Sequence, residues 1–401
     1  MNNELPSAKR IYLDNAAATR LKPEVFDAML PFLTTEFGNA SSIHQEGVRS
    51  RRVIEESRSQ IASILGIKPQ GVVFTGNGTE SNNLAIVGHL KYLNKVKGIA
   101  YKEMEIITTV IEHPSITGVM DELEYLGVGV KLVAVDEGGI INLPSLEAVL
   151  SPRTVLVTFA YANSEVGTVQ PVLRLVRQIR KYEAVIDRDI LVHLDAAQAP
   201  LWLPCTFNQL GVNTMSLDAG KCHGPKGVGV LAVRKRLDFL PIMQGGGQER
   251  DLRSGTENVA GIIGMAKSLE LAQVNYQKRA EAVTKIRDEA INLLRAKIPT
   301  VLINGAFGVE RLANNLNFSV PNLDTEYAVV YLDTYGVAAS TKSACAGAGG
   351  GESLVVKTLT GDATRARSTI RFSLSEETTL DDLKTAIDIL VRCCEKMGVG
   401  K

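Results

Sequence analysis

An aspartate, a glutamine and a lysine in the stretch 190–233 are spaced for cofactor chemistry. An apolar run at 190–194 delivers Asp195, with Gln198 shortly after it, and a second run at 212–217 delivers Asp218, Gly220 and Lys221. Gly224-Pro225-Lys226-Gly227 then turns the chain into a third apolar run. Short apolar runs bounded by turn residues predict buried strands. Groups placed just beyond such strands lie where open α/β sheets bind ligands. Pyridoxal phosphate needs an amine for its Schiff base and an acid beside its pyridinium nitrogen, so that the protonated ring can accept carbanion electrons. Lys221 and Asp195 meet that need.

Other segments offer the remaining parts. Residues 72–75 predict a strand that breaks into Gly76-Asn77-Gly78-Thr79-Glu80-Ser81-Asn82-Asn83 before an apolar helical start. Exposed N–H groups at such a turn attract an anion, glycine allows close approach, and Thr79 adds a hydroxyl. A strand at 105–110 ends at Glu112-His113-Pro114, where an imidazole can stack on a cofactor ring or simply cap a helix. Asn163, after the strand at 154–161, can bond a phenolic oxygen or serve its own turn. Residues 340–351 are nearly all small, and Cys345 lies among them near Lys342. So many small residues build a mobile loop rather than a core, and a thiol beside a cation gains thiolate character.

Composition narrows the setting. The chain has 401 residues, 45% apolar and 22% charged, enough to bury one large core and a smaller one. Lys+Arg and Asp+Glu each number 44, so net charge makes no case for nucleic acid or an anionic membrane. No apolar run approaches membrane-spanning length, and the N-terminal residues lack a signal-peptide core. Five cysteines without CxxC or Cys/His clusters suggest neither a disulfide framework nor a metal site, and a cytoplasmic location is expected.

Strands and helices alternate from about 70 to 235, which predicts an α/β fold with a doubly wound, mostly parallel sheet. A long helical stretch is expected from Glu257 to about Lys297, followed by strands at 312–320 and 368–374 and helices at 325–335 and 380–396. The expected division is a large cofactor-binding domain at 16–258 and a small α+β domain made of 1–15 and 259–401, carrying the Cys345 loop.

Taken together, the chain resembles the cysteine desulfurases of the class V aminotransferase group, fold-type I pyridoxal phosphate enzymes. The matching segments are YLDNAAAT (12–19), VFTGNGTESNNLAI (73–86), IEHPSI (111–116), ANSEVGTVQ (162–170), HLDAAQ (193–198), GKCHGPKG (220–227), GGGQERDLRSGT (245–256), SACAGA (343–348) and STIRFSL (368–374). The resemblance implies that Lys221 is the Schiff-base lysine and catalytic base, Asp195 the pyridinium partner, and Gln198 and Asn163 the ring-oxygen ligands. His113 resembles the stacking histidine, placed also to assist proton transfer, and Gly78 and Thr79 resemble the phosphate turn. Thr256 matches a threonine that reaches the phosphate of the other subunit, implying a homodimer. Arg371 resembles the guanidinium that holds the substrate carboxylate, and Cys345 the thiol that receives sulfur from L-cysteine and passes it to an acceptor protein. The acceptor would serve iron–sulfur cluster assembly or the supply of sulfur to thio-cofactors and tRNA.

Two positions depart from the family. It usually carries serine and histidine where this chain has Asp218 and Gly220. A carboxylate beside a phosphate dianion is unfavourable, so Asp218 is expected to face away, with His223 or a backbone N–H replacing the lost ligand. The chain also stops at Lys401, without the longer tail by which some relatives grip a cluster scaffold.

Overall fold

The computed structural model describes residues 10–235, 238–341 and 351–400. Cys345 and its neighbours at 342–350 lie outside the described residues. The chain opens with strand β1 (Ile11–Tyr12). The main sheet takes β2 (Val72–Thr75), β3 (Glu105–Thr109), β4 (Gly129–Val133), β5 (Thr154–Ala160), β6 (Leu191–Asp195), β7 (Thr214–Asp218) and β8 (Gly229–Val233). Then follow β9 (Leu302–Ile303), β10 (Asn315–Ser319), β11 (Val337–Ala338), β12 (Ser340–Thr341) and β13 (Thr369–Ser373).

The main sheet runs in the order β2-β8-β7-β6-β5-β3-β4, parallel except for β8, which is antiparallel to both neighbours. Helices cover both faces, so β2, β3 and β8 are buried along their whole length, and β2 and β8 read as near-continuous apolar runs. The order reverses between β3 and β5. Residues following those strands, His113 and Asn163, therefore flank the crevice where doubly wound sheets take their ligands. A second sheet, β12-β13-β10-β9, is antiparallel. Phe318 and Phe372 meet edge-to-face at its centre, 5.2 Å apart.

Helix ends follow local chemistry. Helix Gln45–Leu65 stops at Gly66, whose φ of 70° suits a residue without a Cβ. Helix Leu380–Met397 starts with a capping box between Thr379 and Asp382. The helical stretch expected from Glu257 to Lys297 is two helices, Val259–Gln273 and Tyr276–Lys297, because Asn275 adopts a left-handed φ of 57° between them. Helix Val259–Gln273 packs Ile262, Met265, Ala266 and Leu269 onto the core of the main sheet. The core of the second sheet gathers Leu13, Leu294, Phe318, Ile370 and Leu390. We propose the division into 16–258 and 1–15 with 259–401 on the second core, which unites Leu13 with Leu294, Phe318, Ile370 and Leu390. Helix Val259–Gln273 belongs to the second part by sequence but packs on the first core and marks the seam.

The N-terminal segment joins the two parts. β1 pairs with β11 in parallel, Asp14 bridges to Ser373, and Asn15 Nδ2 donates to Ser373 O at 2.8 Å. That crossing carries residues 16–19 over the carboxyl ends of β6 and β7, where Thr19 Oγ1 donates to Gly220 O at 2.9 Å.

Candidate active site

A cavity of about 280 Å³ opens at the carboxyl ends of the main-sheet strands. Its lining joins Ala16, Gly78, Thr79, His113, Asn163, Asp195, Gln198, Asp218, Lys221 and Arg371, so nearly all residues singled out from the sequence meet here. Thr256 does not. It is exposed in the segment before helix Val259–Gln273 and does not line this cavity.

Asp195 is the last residue of β6 and is buried. Its Oδ2 accepts from Asn82 Nδ2 and its Oδ1 from Ala197 N, at 2.9 and 3.0 Å. Asn82 is the hub of a network. Its Nδ2 also donates to Ser115 Oγ at 2.9 Å, and its Oδ1 is 3.0 Å from His193 Nε2. Burial pushes His193 down to about 3, so this imidazole is neutral and donates its Nε2 proton to Asn82. Asn82 and Gly78 are one helical turn apart, on the same face of the helix that leaves the glycine turn. That spacing was the available signal for a residue the motif contained but the sequence reading left without a role.

His113 caps helix Pro114–Tyr125. Ser115 N donates to its Nδ1 at 3.1 Å, which places the proton of the neutral ring on Nε2. Burial lowers its pKa, and Lys221 lowers it too, while the charges of Asp195 and Asp218 oppose them. The neighbouring Glu112 is buried. It accepts from Thr109 Oγ1 and from Ala160 N, and burial, reinforced by Asp195, raises it to about 8. Its burial and its nearness to Asp195 were not foreseen from the sequence.

Lys221 follows β7, and its Nζ donates to Ala16 O at 3.0 Å and to Ala17 O. Gln198 Nε2 donates to the same Ala16 O at 3.0 Å. Asn163 is largely committed to its own turn: Oδ1 accepts from Glu165 N and Val166 N, and Nδ2 donates to Ile111 O. One Nδ2 hydrogen remains to offer a ligand. Arg371, on β13, donates to Asp14 Oδ1 at 2.8 Å and to Ser164 O at 2.9 Å. Its Nε is buried without a partner among the described residues, which suits a guanidinium awaiting a further anion.

The expectation for Asp218 is corrected. Its side chain does not face away from the glycine turn: Oδ2 accepts from Gly78 N and Oδ1 from Gly220 N, both at 2.9 Å. His223 does not replace a ligand there. Its Nδ1 lies 2.9 Å from Arg20 O, and the residue does not line the cavity. Cys222 turns its thiol away as well, towards Ala219 O and Ser268 Oγ, where burial raises it to about 12.

The donor set fits pyridoxal phosphate. An amine, a buried carboxylate held by two N–H donors, and an imidazole next to that carboxylate's network border a space of suitable size. A family model described as aminotransferase class-V matches residues 11–385, so the chain belongs to that family. It is 39% identical to the protein named cysteine desulfurase IscS of Dictyoglomus turgidum, over 97% of this chain and 95% of that one. It is 35% identical to the cysteine desulfurase of a Nostoc species, over 96% and 93%. Among solved structures, a NifS-like protein superposes with a TM-score of 0.88 at 32% identity, covering 96% of this chain and all of the other. DndA of Streptomyces lividans does so with a TM-score of 0.74 at 31% identity, covering 91% and 99%. Within the class-V family the chain stands with the cysteine desulfurases.

Proposed function

We propose that the protein converts L-cysteine to L-alanine, moving the sulfur atom onto Cys345 as a persulfide. The balance is simple: cysteine and the Cys345 thiol yield alanine and an S–SH group, with no external oxidant. The observation that carries the proposal is the convergence of Lys221, Asp195 and Arg371 on one cavity. Pyridoxal phosphate, when bound, supplies an electron sink for the substrate's α-carbon. Asp195 would keep the ring nitrogen of that cofactor protonated, and Asn82 keeps Asp195 aimed. Arg371 holds the substrate carboxylate, drawing on the N–H group left unpartnered in its buried fork. The Lys221 amine, near the Ala16 and Ala17 carbonyls, holds and returns the proton at the substrate α-carbon. His113, shifted towards neutrality by burial, would lie beside the ring and would pass a proton through Nε2.

A solved SspA carries cysteine, and its fold covers 92% of this chain at a TM-score of 0.77 and 27% identity. That supports cysteine as the substrate here. The same reading includes a sulfur-acceptor protein, a cytoplasmic location and a homodimer in which Thr256 reaches the partner's phosphate turn. The exposed position of Thr256 supports the dimer. So do the apolar side chains of Leu33, Phe37 and Ile43, the last 92% exposed. Among the described residues no helix is long and apolar enough to cross a membrane.

The test is alanine and sulfide release from L-cysteine, with and without reductant. Alanine should form in both, with free sulfide appearing chiefly when reductant cleaves the persulfide. Formation of pyruvate and ammonia in place of alanine would overturn the proposal.

A further inference from the structure

Asp218 and Gly220 act as one unit. A Cβ on Gly220 would lie 3.2 Å from Asp218 Oδ1, tighter than side chains ordinarily allow. Gly220 is not among the residues of positive φ, so its backbone conformation does not demand glycine. Space favours it: a Cβ at 220 would press on Oδ1, and the carboxylate would have to shift by a few tenths of an ångström. The chain has therefore built room for a carboxylate at the anion end of the cavity, beside Thr79.

A phosphate dianion arriving there meets a like charge, and the surrounding cations have other partners. Lys221 contacts the carbonyls of Ala16 and Ala17, Lys226 donates to Thr19 O at 2.9 Å, and Arg253 pairs with Glu80 at 3.0 Å. Of the remaining titratable groups, His113 is shifted towards neutrality by burial, and Asp195 adds a further negative charge. Lys221 and Lys226 remain cations but are held by carbonyls of the 16–19 segment. Asp218 has no ion pair among the described residues, so a proton between the two anions relieves their repulsion directly.

We propose that this site takes its phosphate ester as the monoanion, with the ester O–H donating to Asp218 Oδ2. The inference rests on the cofactor reading above. Each carboxylate oxygen has two lone pairs, so Oδ2 keeps the Gly78 N–H and accepts the ester proton as well. The proton comes from solvent, and no covalent bond to carbon or phosphorus changes. Asp218 thereby selects for an anion that can carry a proton, which phosphate does near neutrality and sulfate does not.

The probe is 4-deoxypyridoxine 5′-phosphate, which has the ester but no aldehyde to react with Lys221, bound to the full chain freed of cofactor. Calorimetry in two buffers of different ionisation heat counts the protons taken up. The ring nitrogen takes its own proton beside Asp195, so the quantity to read is the difference between wild type and Asp218→Asn. At pH 8 that difference should be about one proton, because the ester's second ionisation lies near pH 6. Wild-type affinity should fall about tenfold more than the variant's between pH 7 and 8. Inorganic phosphate should compete with the probe in wild type and sulfate should not, whereas Asp218→Ser should let both compete. Equal proton counts in wild type and Asp218→Asn overturn the inference alone. Failure of the probe to bind wild type and both variants, each shown folded by circular dichroism, overturns the cofactor reading and the inference with it.

Discussion

Two aspartates end adjacent parallel strands, and each accepts two N–H bonds, yet their surroundings differ. Asp195 is buried, held by a side-chain amide that is itself fixed by Ser115 and a neutral His193. Asp218 is half-buried and held by two backbone amides, both from glycines. The first is a carboxylate supported by a network of side chains. The second is a carboxylate supported by local backbone. A strand end fixes where a side chain is presented; the groups behind it decide what that side chain can do.

The sharpest way to break this contrast is to delete each carboxylate in turn. Asp195→Ala should lower alanine formation by at least about a hundredfold, since nothing else then holds the ring nitrogen's proton. Asp218→Ser should change turnover by less than about tenfold at saturating cofactor, its effect falling on cofactor affinity instead. Equal losses in the two variants, measured by alanine release under single conditions, would erase the distinction.

The next test acts behind Asp195. Asn82→Ala leaves Asp195, Ser115 and His193 each short of a partner and should cost about tenfold in turnover, with a shifted cofactor absorption band. A turnover loss without the spectral change would mean that Asn82 serves packing only.

A third test uses pH, because an enclosed acid, Glu112, lies close to Asp195. Glu112 is raised to about 8, so between the ordinary carboxyl range and pH 8 the folded chain keeps a proton that the unfolded chain releases. Stability from this group is complete below about pH 4.5 and is lost as the pH rises towards 8. Denaturant unfolding at pH 5.5 and 8 should therefore show a smaller drop for Glu112→Gln than for wild type. A drop of the same size in both would remove Glu112 from the account.

The smallest expected effect is at the cysteine next to the lysine. The Cys222 thiol is buried against Ser268, away from the cavity, so Cys222→Ser should alter alanine formation by less than about twofold. Cys345→Ser should abolish persulfide formation at 345, read by mapping the modified residue. Full activity of the second variant with loss in the first would reverse these assignments.

Much of the site was legible because its residues follow strand ends. β6 and β7 read plainly as apolar runs, and the groups after them, Asp195 and Lys221, had to share one edge of the sheet. What escaped was contact between segments distant in sequence. Asn82 to His193, Glu112 to Asp195, and Asp218 to Gly78 depend on how strands are ordered side by side, which periodicity does not encode. The orientation of Asp218 was misjudged for a related reason. Charge repulsion from an expected ligand was weighed, but not the two backbone N–H groups that hold the carboxylate. The break at Asn275 was hidden because a lone asparagine within a helical pattern gives little sign of a left-handed turn.

The pairing of the first strand with the end of the chain bears on how the molecule is made. All seven strands of the main sheet have been synthesised once Val233 is added, and with them Asp195, Asp218 and Lys221. Ala16 and Ala17, which meet Lys221, hang from a segment whose own partners are Val337, Arg371 and Ser373. At a synthesis rate of about 5–20 residues per second, the ribosome needs roughly ten to thirty seconds more to supply them all. During that interval a nascent chain carries Lys221 and Asp195 but not Arg371. A ribosome stalled before Thr369 should release a chain whose residues 10–17 are cut readily by protease, while those of the finished protein are not.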